Sequence, residues 1–427
     1  MSHYKPYPAY KDSGVEWLGR VPEHWSIVPL KWCFECLDGK RVPLNSEQRA
    51  DIKGEVPYWG SGGVVDHIEK FIFDEPLVLL GEDGAPFFDR DRPVAYAIKG
   101  KSWINNHIHV LRPLTDYPIT WFVHALNCVE YRHYIDGSTR DKLTQDDMKS
   151  ISLAIPESSD EARKAVAHLD RETARIDALI EKKTRFIELL LEKRQALITH
   201  AVTKGLDPKA RMKDSGVEWL GEVPEHWKLV PLKYVTPSLT VGIVVNPSDY
   251  VADEGLPFLY GGDIGEGVIF AETARRISPE HSQRNAKTRL NAGDLVTVRV
   301  GAPGVTAVVP PECEGGNCAS VMLIRRGAFN SDWLCYTMNS RVVRYQVEVV
   351  QYGAAQEQFN ISHAVDFLIP VPPLEEQAAI ASALNQEGRR VDALLSKTER
   401  SIALLKERRS ALITAAVTGQ IDLREAV

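Results

Sequence analysis

Two stretches of the chain carry apolar residues at a seven-residue spacing. In the first, Leu169, Ile176, Leu190 and Leu197 share one row, and Ile180, Ile187 and Ala201 supply the neighbouring row four residues on. In the second, Leu384, Val391, Leu405 and Leu412 form the row, with Leu395, Ile402 and Ala416 beside it. Charged residues fill the flanks, so each stretch predicts a long helix of coiled-coil type. Lys183 and Thr398 interrupt one row at matching places, and Arg194 and Arg409 the other. Polar residues at such sites cost stability but fix register. Ser158, with Glu161 three residues on, reads as a helix start; Pro372 and Pro373 precede the second stretch. Gly205 and Gly419 read as stops. Each helix then runs roughly 45 residues, or roughly 65 Å at about 1.5 Å per residue. One such helix cannot bury its stripe alone. Two matching stripes in one chain predict an antiparallel intramolecular pair. Its interface is Leu169, Ile176, Ile180, Ile187, Leu190 and Leu197 against Leu384, Val391, Leu395, Ile402, Leu405 and Leu412. The alternative is that each stripe packs on its own domain or on another chain.

The pattern outside these stretches is different. Residues 32–155 and 234–370 alternate short apolar runs with Gly- and Pro-rich turns, as in LVLLGEDGAPFF and DLVTVRVGAPGVTAVVP, and predict mixed α/β domains. Each region holds one helix-like run, Thr120–Tyr134 and Ser331–Val350, and closes with a loop of small and polar residues at Asp136 and Tyr352. The two regions share the order of these parts and little residue identity. In front of each stands a nearly identical phrase. KDSGVEWLGRVPEHWSIVPLK from Lys11 and KDSGVEWLGEVPEHWKLVPLK from Lys213 agree at 18 of 21 positions, 202 residues apart. The helical blocks repeat at an offset of 215, from Arg175 and Arg390. The chain is therefore two halves with the same parts in the same order, sharing a fold and differing in surface. Trp17, Trp25, Trp219 and Trp227 in the phrases are expected to fill equivalent cores.

A chain of 427 residues exceeds what one core serves, so two or more domains are expected. Composition is that of a soluble globular protein, with no apolar run long enough to cross a bilayer and no secretory leader, which places the expectation in the cytoplasm. Six scattered cysteines suggest no disulfide framework. The net charge is -7, and both divergent regions are acidic. A nucleic-acid site must then be a local patch of Arg and Lys, or be helped by a partner, and binding by the isolated chain is expected to be weak.

A catalytic constellation is not apparent. The chain has no Walker A loop and no Asn/Asp-Pro-Pro-Tyr/Phe tetrapeptide of an amino-methyltransferase. GGDIGEG at Gly261 opens no predicted helix and reads as a turn. Cys33-x-x-Cys36 lacks a second pair nearby, and His107 and His109 read as packed or hydrogen-bonding strand residues, so no metal site is assigned.

The doubled KDSGVEWLG-x-VPEHW phrase, the doubled helices ending ALIT-x-AVT, and IPVPPLEEQ at Ile369 together resemble the specificity (S) subunit of a type I restriction-modification system, over nearly the whole chain. The first half departs from the last motif, reading IPESSDEAR at Ile155. The resemblance implies an α/β (mixed α+β) fold in which two target recognition domains, residues 1–156 and 206–371, are separated by spacer helices at 157–205 and 372–420, with a tail at 421–427. It implies a noncatalytic DNA-recognition subunit serving phage defence. Each half would read one part of an asymmetric bipartite sequence in double-stranded DNA. Partners would be two modification subunits, which hold S-adenosylmethionine and methylate adenine, and restriction subunits, which use ATP and Mg; no cofactor falls to this chain, and no membrane. Base edges are read by Arg, Asn and Gln, and phosphates by Lys and Arg. Candidates in the divergent regions are Arg90, Arg92, Lys101, Asn105, Asn106, Arg140 and Lys142 in the first, and Arg275, Arg276, Arg284, Lys287, Arg289 and Gln356 in the second. Arg140, Lys142 and Gln356 lie in the closing loops, whose recurrence suggests a shared role such as backbone contact. Two other readings remain open: the specificity subunit of a system whose nuclease and methylase are fused, and a coiled-coil protein scaffold with no DNA dependence.

Overall fold

The computed structural model describes residues 4–135, 141–351 and 360–424. It is a mixed α+β fold that separates into two compact units, residues 1–184 with 398–427, and residues 185–397. Both long helices are present, at Ser159–Lys204 and Leu374–Val417. Each unit takes a part of each. In the second unit Arg194 meets Asp392, and Ile198 shares a core with Leu384, so the helices run in opposite directions. In the first, Asp177 meets Arg409 while Leu169 shares a core with Leu412. Of the twelve stripe residues, Leu169, Ile176, Leu190, Leu384, Val391 and Leu412 are buried, and the other six are half-buried.

The arginines that interrupt the stripe make cross-helix ion pairs. Arg194 Nη1 lies 2.7 Å from Asp392 Oδ1, and Arg409 Nε 2.9 Å from Asp177 Oδ1. These pairs are one contact made twice, because Asp177 and Asp392, and Arg194 and Arg409, are each 215 residues apart. A polar break in an apolar seam therefore carries its own counter-charge, which penalises a slipped register.

The divergent regions share a topology that their sequences conceal. In the first, Phe34–Cys36, Ile108–Pro113, Leu77–Gly81 and Ala95–Ile98 form an antiparallel sheet in that order. In the second, Leu239–Val241, Met322–Ile324, Leu295–Thr297 and Thr306–Val308 form the same sheet. Each region adds a mixed sheet with one parallel pair: Lys53–Gly60 with Lys101–Ile104, and Leu256–Leu259 with Asn317–Cys318. A fully buried tryptophan on a helix packs against each unit's main core, Trp121 on Ile119–Leu126 and Trp333 on Ser331–Asn339. The helix-like runs differ from the pattern, one in length and one in continuity. The first stops at Leu126, and the second divides at Ser340, whose hydroxyl bonds the Thr337 carbonyl at 2.6 Å and interrupts the helix.

The repeated phrase joins these regions to the helices. Tyr10–Asp12 pairs with Arg20–Pro22, and Met212–Asp214 with Glu222–Pro224, in the same register. Ser26–Pro29 then pairs with Ser152–Ile155, and Lys228–Pro231 with Leu368–Val371, just before each long helix begins. Trp25 is buried and donates from Nε1 to Glu161 at 3.0 Å; Trp227 donates to Glu376 at 2.9 Å. Both carboxylates lie in the first turn of a long helix, beside His24 and His226. The far end of the other helix meets the same tryptophan. A Cβ on Gly419 would fall 2.2 Å from Pro22 Cδ, and one on Gly205 3.3 Å from the Trp227 ring, and both glycines have positive φ. Only glycine satisfies both demands at Gly419. Trp17 and Trp219, expected in equivalent cores, are instead half-buried at the core's edge, where Trp219 packs on Tyr345.

Candidate nucleic-acid interface

Cations reach the surface of both divergent regions from loops and strand ends. In the first, Arg90 is 80% exposed and pairs with Glu130 at 3.1 Å. Arg92 is exposed in the same loop, and Lys101 opens its strand with its ammonium 4.9 Å from the Phe71 ring centre. Asn105 is half-buried, and its side-chain oxygen accepts the Asn106 N–H at 2.5 Å, which commits that acceptor locally. Asn106 is exposed. Lys142 lies 3.3 Å from Glu82. Arg140 and Gln356 lie outside the described residues.

In the second region Arg275 and Arg276 sit on one short strand, the first exposed and the second half-buried. The Arg275 guanidinium stacks over Tyr260 at 4.3 Å. Stacking fixes the plane of the guanidinium, and an in-plane fork of N–H donors is the pattern that fits guanine O6 and N7. Arg284, Lys287 and Arg289 are exposed on the following helix and turn. The same regions also expose apolar side chains: Val64, Val65, Phe71 and Phe88 in the first, Val244, Val245 and Phe270 in the second. Such side chains can meet a thymine methyl group.

Two arginines absent from the sequence-derived candidates organise these surfaces from beneath. Arg41 donates to Glu82 at 2.5 Å and to the carbonyls of Asn106 and Ile108. Arg325 donates to the carbonyls of Lys287 and Arg289 and to Asp294 at 2.6 Å. Each holds in place a backbone segment that carries candidates. The signal available in sequence was only that each lies in or beside a strand-forming run, where an arginine must find partners if it is buried.

Asp38, Glu82 and His109 bring three possible ligand atoms within 4.8 Å of one another. Their geometry is that of an ion-pair network. Arg41 lies 3.4 Å from Asp38 and 2.5 Å from Glu82, and Lys142 also reaches Glu82. His109 is fully buried, with Nδ1 2.6 Å from Asp38 and Nε2 3.0 Å from the Leu143 carbonyl. Both ring nitrogens thus face acceptors. Burial would push the Asp38 carboxyl up. The hydrogen bond and charge of His109, the Val110 N–H and Arg41 outweigh that and lower it to about 2. The network pins the segment from Lys142 to Gln145, within the closing loop of the first region.

Comparison with known proteins gives this arrangement a family. The description "Type I restriction modification DNA specificity domain" matches residues 22–189. A candidate type I restriction enzyme specificity subunit of Haemophilus influenzae is 28% identical over 128 residues, 30% of this chain and 32% of that relative. The type I restriction enzyme MjaVIII specificity subunit of Methanocaldococcus jannaschii is 21% identical over 95% of both chains. A chain from a structure describing complex assembly and conformational transition of the type I R-M system aligns over 93% of this chain and 98% of its own length, with a TM-score of 0.69 and 18% identity. The chain is thus similar over residues 22–189 to that domain, and over nearly its whole length to a type I specificity subunit. No helix among the described residues is long and apolar enough to cross a membrane.

Proposed function

We propose that the chain reads an asymmetric, bipartite sequence in double-stranded DNA, one part with each half, and that the paired helices set the gap between the parts. The recognition domains are residues 1–156 and 206–371. The observation that carries this reading is the combination of one topology with two unlike surfaces. The same pair of sheets, with the loops and turns that join their strands, carries Arg90, Arg92, Lys101 and Asn106 in one half and Arg275, Arg284, Lys287 and Arg289 in the other. A repeated fold with unrepeated cations suits two different base sequences on one duplex. The base-reading donors are proposed among these residues together with Asn105 and Arg276; Lys142 contacts phosphate. Two modification subunits, carrying S-adenosylmethionine, methylate adenine within the target. Restriction subunits, using ATP and Mg, join that core, and the assembly works in the cytoplasm. With a net charge of -7, the isolated chain binds DNA weakly and the assembled complex tightly.

The test is the methylation pattern of DNA from cells expressing this chain with its modification subunit, read by single-molecule sequencing. One motif with two unlike halves and a fixed gap is the expected result. Soluble, co-purifying proteins that leave no new methylated motif, and give no gel shift with any duplex, would overturn it.

A further inference from the structure

Among the described residues, the most exposed large hydrophobic side chains are Tyr234 at 73%, Val245 at 72% and Trp32 at 68%. Val245 stands in a divergent loop. Trp32 and Tyr234 do not: they occupy the position directly after the repeated phrase in each half, 202 residues apart. Each ends a single turn, Leu30–Trp32 and Leu232–Tyr234, whose leucine is fully buried. The turns are pinned in the same way, Leu30 N–H to the Ile151 carbonyl and Leu232 N–H to the Phe367 carbonyl, both at 2.8 Å. In both, the preceding lysine lies over the ring, Lys31 at 5.5 Å and Lys233 at 5.4 Å from the ring centre. The rings are thus displayed on rigid supports and partly ordered in advance. This chain elsewhere buries Trp25, Trp121, Trp227 and Trp333 completely, so it does not lack room for aromatics inside.

An exposed tryptophan forgoes hydrophobic stabilisation, and the same exposure in both halves doubles the loss. Positions that differ between the halves meet what differs, the two parts of the target. Positions that agree meet one neighbour twice. Duplex DNA offers phosphates and groove edges, on which an aromatic ring gains little unless a base leaves the stack. Trp and Tyr, with a large apolar face and one polar donor, are the residues that anchor protein interfaces. Leu114, 60% exposed and tied by its N–H to the Cys33 carbonyl at 2.9 Å, extends the apolar patch next to Trp32.

We propose that Trp32 and Tyr234 anchor two equivalent docking sites, one on each unit, for two copies of a single protein subunit. The proposal rests on the reading of the chain as the centre of an assembly with two modification subunits, and gives that assembly its anchors. The subunit offers each ring an apolar pocket with a hydrogen-bond acceptor at its edge.

The experiment titrates the full chain with its modification subunit and counts bound copies by sedimentation and calorimetry. Wild type takes two. Trp32→Ala and Tyr234→Ala each keep one tight site and weaken the other by about a hundredfold, so assembly stops at one copy; the double variant takes none. Trp32→Tyr and Tyr234→Trp retain two, which separates docking from folding. Two copies bound by every variant within threefold of wild-type affinity would overturn the proposal. So would intact assembly with a loss confined to DNA affinity, which would assign the rings to DNA. A wild-type chain that takes no copies would remove the proposed assembly itself, a distinguishable failure.

Discussion

The two joints between phrase and helix differ where their sequences agree most. At the first, the Glu161 side chain is 8% exposed and accepts from Trp25, His24 and Tyr7. At the second, Glu376 is 41% exposed and accepts from Trp227 and His226. The extra donor has no counterpart in the repeat, because Lys209 stands 202 residues after Tyr7. Burial and the Glu161 carboxylate push the Tyr7 phenol up, so it stays a donor at any working pH. Identical residues in a repeat thus do not carry identical energy. What surrounds them decides how much water they lose, and the cost of leaving a partner unsatisfied scales with that loss.

The largest expected effect follows directly. Glu161→Ala strands the buried donors Tyr7 and Trp25, with half-buried His24, and costs about 3 kcal/mol, whereas Glu376→Ala, with water at hand, costs about 1 kcal/mol. Hydrogen exchange measured separately in each unit reads both; equal losses would erase the contrast. The second contrast is pH. Asp38 belongs to the first unit and its folded carboxyl lies near 2, below its ordinary value of 3.8. Its stabilisation, about 2 kcal/mol, is complete above the unfolded value and is lost as pH falls through the folded one, between about 4 and 2. Protection of the first unit should therefore drop across that window, and Asp38→Asn should remove the pH dependence it contributes there; a wild-type profile unchanged by the substitution would show the network to be inert. The smallest effect belongs to the ion pairs between the helices. Asp177, Arg194, Asp392 and Arg409 are all at least one-third exposed, so Arg194→Ala and Arg409→Ala each cost about 0.5 kcal/mol and should match. Exchanging Arg194 and Asp392 should restore wild-type stability, and a difference between the two alanine variants beyond error would break the equivalence of the halves.

The long helices were legible because a seven-residue apolar period sustained from Leu169 to Ala201, and from Leu384 to Ala416, fits a helix and no strand, and its caps were written in Ser158, Gly205 and Gly419. The sheets were legible as strands but not as a topology. The parallel pairing of Lys53–Gly60 with Lys101–Ile104 joins residues far apart in sequence, with no local signal. The candidate cations were legible as residues of turns and strand ends. Which arginine shows its guanidinium to solvent and which buries it is a tertiary fact, so Arg41 and Arg325 were missed. Trp32 and Tyr234 were missed for the opposite reason: an aromatic beside an apolar phrase reads as core, and exposure is invisible until the turn that lifts it is built.

The paired strands Ser26–Pro29 with Ser152–Ile155, and Lys228–Pro231 with Leu368–Val371, bring the two ends of each divergent region side by side. All of the chain between them enters and leaves through one clasp made of main-chain hydrogen bonds, which are indifferent to the side chains beyond. A region of quite different sequence needs only to fit that clasp to be held in the same place, so the surface between the paired strands can change while the joint that holds it stays untouched.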